Sequence, residues 1–192
     1  MLLPEDILSK LIYLDSDFIS VVYQTVTGDS PQTYFSKTQG KKGDSKELFI
    51  AHSQNLESKS FNKSSIEMLK EIYAELAKYP NFNPAIFKNY EGTKTVWING
   101  QFTMGEWIST KQIDGKTTKS DPCIMYEIED NSDKYALLPQ PHLFSSNIGS
   151  LINTTSAIRN NIGIPTKTFG RILYKVEDSN MFVMTPYLIL ED

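Results

Sequence analysis

The sequence predicts an α+β fold: an antiparallel, β-hairpin-rich sheet or partly closed barrel covered by two or three helices. Three observations carry that prediction. Alternating apolar and polar segments flank short turns three times in the second half of the chain, around Asn99-Gly100, Asp130 to Asp133 and Asp178. One segment near residue 70 instead has the capped apolar stripe of an amphipathic helix. The composition, 40% hydrophobic with 10 Phe, 10 Tyr and 2 Trp in 192 residues, supplies enough apolar surface for a packed core without staples.

Taken in order, Pro4 suits a first helical position, and Ile7, Leu8, Leu11 and Ile12 recur at helical spacing, so a short helix is expected up to Leu14. Phe18 to Thr27 is rich in β-branched and aromatic residues and reads as a strand. Gly28 to Pro31 is a turn, Thr33 to Thr38 the returning strand, and Glu47 to Ser53 a third strand. The clearest helix runs from Ser64 to Tyr79. Ser64 stands three residues before Glu67, the spacing of a capping box, and Ile66, Leu69, Ile72, Tyr73 and Leu76 form one stripe that must pack against something, most simply the preceding strands.

Pro80 to Thr93, with two prolines and three asparagines, marks the boundary between two expected subdomains of a single 1–192 domain. The first, 1–79, holds helix, three strands and helix; the second, 94–192, is a hairpin-rich sheet with one helix. Asn99-Gly100 predicts a tight hairpin turn between Thr95–Ile98 and Gln101–Ser109, because type I′ turns need positive φ at both central residues. Pro122–Glu129 and Lys134–Leu138 form a second hairpin, and Arg171–Glu177 with Met181–Leu190 a third. Between them Ser145 to Asn160 keeps roughly helical spacing, weakened by Gly149. The last two hairpins resemble one another: their first strands align at an offset of 48, Tyr126 matching Tyr174, and after a turn one residue shorter in the second copy Tyr135-Ala136-Leu137 matches Phe182-Val183-Met184. Two copies of one strand-turn-strand unit would occupy equivalent positions in one sheet or barrel. Shared alternation around an acidic turn is the simpler explanation of the likeness and the preferred one.

The chemistry is easier to exclude than to assign. With 19 Lys and Arg against 23 Asp and Glu, the net charge of -4 creates no global field for nucleic acid or anionic membrane. One cysteine, Cys123, excludes an intramolecular disulfide and multi-cysteine zinc sites, and reads as a buried structural residue. His52 and His142 stand outside any metal-ligand spacing. Gly40-Lys41-Lys42-Gly43 lacks the spacing of a P-loop, and no Gly-x-Ser-x-Gly elbow occurs. Asp121, Glu127 and Glu129 lack the Glu-x-Lys of a metal-dependent nuclease and read as a solvated strand face. No cofactor and no metal ligand is assigned. Glu5 and Asp6 stand where a signal peptide carries basic residues, and no stretch reaches the ~20 apolar residues of a membrane span. The expectation is a cytoplasmic protein.

Two candidate surfaces remain. Tyr34, Lys37, Lys41, Lys42 and Lys46 in one region and Lys111, Lys116 and Lys119 in another pair lysines and an aromatic residue with loops, as single-stranded nucleic-acid binders do. Asp44, Glu47 and Asp114 interleave with them. Trp97 and Trp107 are of the residue type enriched at protein interfaces. The leading expectation is a non-catalytic binding or interaction protein using an exposed sheet face or loops, with another protein as partner. The alternatives are a nucleic-acid-binding protein using the two lysine-rich loops, with metal-dependent cleavage as its extension, and a small apolar-ligand carrier with an open barrel interior.

Overall fold

The computed structural model describes residues 7–29, 33–37, 57–61, 63–107, 110–113, 116–119, 123–155, 159 and 161–192. In chain order the elements are β1 (Leu11–Leu14), α1 (Ser16–Thr27), β2 (Thr33–Lys37), β3 (Glu57–Phe61), α2 (Ser65–Leu76), β4 (Lys94–Trp107), β5 (Thr110–Ile113), β6 (Lys116–Lys119), β7 (Cys123–Asp130), β8 (Asp133–Leu137), α3 (Ser146–Ile152), β9 (Gly163–Lys175) and β10 (Met181–Glu191). The α+β class of the expectation holds, and the sheet is a barrel.

That barrel is closed rather than partly closed. Its strands follow one another in the order β4, β7, β8, β10, β9 and back to β4, antiparallel everywhere except between β8 and β10. Closure depends on β4, whose residues 94–103 pair with β9 while residues 101–107 pair with β7. One strand of 14 residues therefore serves two neighbours. Asn99-Gly100, expected as a hairpin turn, lies in the middle of this strand where the partner changes. Glycine is needed there for close approach, since a Cβ on Gly100 would stand 2.6 Å from both the Glu129 carbonyl oxygen and Ile128 Cγ2.

Side chains fill the interior in layers, because successive residues of a strand point to opposite faces. Register aligns Phe102, Ile128, Tyr135 and Phe182 in one layer and Met104, Tyr126, Leu137 and Met184 in the next. All eight are buried. Each such side chain contributes about 1.5–3 kcal/mol on leaving water. Phe82 and Phe87 close one end, their rings 5.1 and 5.8 Å from that of Phe182. Phe144, which precedes α3, and Ile148 of α3 pack into the same core, with Phe144 lying 5.1 Å from Tyr126.

The N-terminal expectation is reversed. Leu11–Leu14 is a strand and Ser16–Thr27 a helix, where a helix and a strand were expected. The helix is locally signed. Asp15 accepts a hydrogen bond from the Phe18 amide at the N-cap, Gly28 ends the helix at φ 78, and Ile19 and Tyr23 are buried at helical spacing. Leu11–Leu14 is extended because β10 offers it an edge, with Tyr13 opposite Ile189 and Leu14 opposite Leu188. The second helix agrees with its capping box, both halves of which form between Ser64 and Glu67. The strand expected at Glu47–Ser53 lies outside the described residues.

The two matching hairpins, β7–β8 and β9–β10, do share the barrel. Tyr135-Ala136-Leu137 and Phe182-Val183-Met184 are even direct neighbours in the parallel β8–β10 pair. The hairpins nevertheless wind round the barrel in opposite senses, since β7 and β9 flank that pair on opposite sides. No rotation about the barrel axis superposes them. Their registers differ as well: Tyr126 lies opposite the inward Leu137 and points into the core, while Tyr174, its sequence counterpart, lies opposite the outward Val183 and is exposed. The likeness reflects neighbouring strands that fill the same interior layers.

A second cluster draws on both halves of the chain. It joins Ile19 and Tyr23 of α1 and Met68, Leu69, Ile72, Tyr73 and Leu76 of α2 to Trp97, Phe169, Tyr187, Leu188 and Leu190 on the strands. Phe18 stacks flat on Tyr187 with ring centroids 3.7 Å apart.

Candidate binding surface

Strand alternation dictates what the barrel shows to the outside. On β7, Ile124, Tyr126 and Ile128 point inward, which turns Met125, Glu127 and Glu129 outward. Cross-strand register then builds rows on the outer face. Gln101, Glu129 and Lys134 form the first row; Thr103, Glu127, Ala136 and Val183 the second; Gly105 and Met125 begin a third, beside which Leu138 is 54% exposed. Apolar and small residues thus sit beside an acidic pair and one lysine.

The charges are unevenly matched. The Lys134 ammonium donates to Glu129 at 2.7 Å and lies 3.9 Å from Glu127. That hydrogen bond holds the Lys134 pKa above its ordinary value. Burial, which leaves the Glu127 side chain only 12% exposed, pushes its carboxyl above the ordinary glutamate value; Lys134 opposes the shift and Glu129 adds to it. The face expected to be merely solvated therefore contains a half-buried carboxylate whose nearest cation is hydrogen-bonded to its neighbour.

Concavities also occur elsewhere among the described residues. An apolar groove of about 410 Å³ lies between the end of α2 and the start of β4, walled by Tyr79, Phe82, Ile86 and Phe87. A polar recess of about 490 Å³ surrounds the β9–β10 turn from Lys175 to Asn180, where Asp178 takes a positive φ of 54°. No group of three His, Cys, Asp or Glu side chains that could hold a metal occurs among the described residues. No helix among them is long and apolar enough to cross a membrane.

Several sequence expectations change at this level. Trp97 is not a surface residue: it is 1% exposed, and its indole nitrogen donates to the Leu76 carbonyl at 2.8 Å. That bond satisfies one of the carbonyls a helix leaves unpaired at its C-terminus, so the side chain fastens α2 to β4 and offers nothing to a partner. Trp107 is the last residue of β4, opposite Cys123 on β7. Cys123 is exposed rather than buried because it begins β7 on the outward phase of the alternation. His142 is exposed, and His52 lies outside the described residues.

The lysine regions belong to separate two-stranded ribbons. Tyr34 and Lys37 lie on β2, paired with β3, whereas Lys111, Lys116 and Lys119 lie on the β5–β6 ribbon inserted between β4 and β7. The two ribbons share no sheet. Lys41, Lys42 and Lys46 lie outside the described residues. Sequence reasoning passed over Gln101, Thr103, Met125, Ala136 and Leu138. The alternation on β7 was visible, but which strands would flank it was not.

Comparison with known proteins finds no matching family model, no matching curated protein and no matching solved structure.

Proposed function

We propose that this protein is a non-catalytic interaction protein that engages another protein through the outer face formed by the second half of β4, β7 and β8. The observation that carries the reading is the unequal dressing of the barrel. Residues of α1 and α2, among them Phe18, Tyr73 and Leu76, pack against Trp97, Phe169, Tyr187 and Leu188 on β4, β9 and β10. The β7–β8 face keeps the apolar Met125, Ala136 and Leu138 beside the polar Gln101, Thr103, Glu127, Glu129 and Lys134, so apolar and polar groups share one surface as they do where proteins meet. The filled interior argues against an apolar-ligand carrier, since a small barrel packed with eight inward side chains leaves no lumen.

A second reading has a specific observation behind it. A five-stranded Greek-key barrel with a helix between its third and fourth strands follows the OB-type plan, in which the second and third strands and the loop before them contact oligonucleotides or oligosaccharides. Here those elements are β7, β8 and the lysine-bearing β5–β6 ribbon. The inference is by analogy of fold alone. Against it, the outward residues of β7 and β8 include Glu127 and Glu129 and no aromatic ring on which a base would stack.

Capture from native lysate with the full chain as bait, with and without nuclease, separates the readings. The protein-binding reading expects nuclease-resistant partners that are lost with the surface variants Ala136→Arg and Leu138→Glu while circular dichroism is unchanged. Partners retained by both variants overturn it. The nucleic-acid reading expects nuclease-sensitive, salt-sensitive capture that weakens with Lys41→Glu and Lys42→Glu or with Lys116→Glu and Lys119→Glu, and a salt-independent interaction overturns that one.

A further inference from the structure

We draw no further inference here: the strongest candidate, the apolar groove between the end of α2 and the start of β4 walled by Tyr79, Phe82, Ile86 and Phe87, has nothing in the structure to show what covers it.

Discussion

The two sides of the barrel obey different rules. Along β10, residues pointing in both directions are buried: Phe182, Met184 and Ile189 join the barrel interior, while Tyr187, Leu188 and Leu190 join the cluster beneath α1 and α2. Along β7, Tyr126 and Ile128 are buried but Glu127 and Glu129 alternate with them on the outside. A strand buried on both faces loses its alternation, and a strand with one open face keeps it. The degree of alternation in a strand is thus a record of how many layers pack against it.

That comparison can be broken by substitution. The largest loss is expected for Trp97→Ala, which empties the centre of the covered side and leaves the Leu76 carbonyl without its donor. Urea unfolding should show a loss of about 3–5 kcal/mol. A loss below about 1 kcal/mol would mean that the helices contribute little to holding β4.

Two leucines give the matched test. Leu188→Ala, on the covered side and fully buried, should cost about 2–5 kcal/mol, whereas Leu138→Ala on the open face should stay within about 0.5 kcal/mol of the parent. Equal costs would erase the distinction between the two sides.

Gly170→Ala probes the covered side from within. An added Cβ would lie 2.4 Å from the Thr185 carbonyl oxygen and 3.1 Å from Pro186 Cα, and backbone must move to admit it. A loss of about 1–3 kcal/mol is expected, read as a lower urea midpoint with an unchanged slope.

The smallest effect is electrostatic and belongs to the open face. Burial raises the Glu127 pKa in the folded state, so its protonated form is favoured by folding. The associated stability is present below the ordinary glutamate value of 4.5 and is lost as pH rises through the raised folded value. Glu127→Gln removes that titration. The variant should have the higher urea midpoint at pH 7, and the difference should shrink as the pH falls below 4.5. A lower midpoint at pH 7 would show that the contact with Lys134 outweighs the cost of burying the charge.

The fold was readable where local chemistry and tertiary packing agree. Ser64 and Glu67 placed the start of α2, and the turn between Asp130 and Asp133 placed the β7–β8 hairpin, in which Asn131 takes the left-handed conformation. It was misread where β-branched residues sit in a helix. Val21, Val22 and Val26 suggested a strand, while the stronger evidence, Asp15 as cap and Gly28 as terminator, lay at the two ends of α1. Asn99-Gly100 misled for the opposite reason, because a pair that favours a turn in isolation is also the pair that permits close strand approach. The candidate surface was partly readable, since the outward phase of Glu127 and Glu129 follows from alternation alone.

By itself the sequence determined the α+β class, the capped helix α2, the hairpins β7–β8 and β9–β10, and the scarcity of thiol and histidine chemistry. These depend on spacing within a few residues, which sequence records directly. Only the tertiary structure decided that Leu11–Leu14 is a strand, that β4 serves two partners and closes the barrel, and that Trp97 is core while Leu138 is surface. Each of those outcomes depends on which distant strand or helix arrives alongside, and residues far apart in sequence carry no local mark of that meeting.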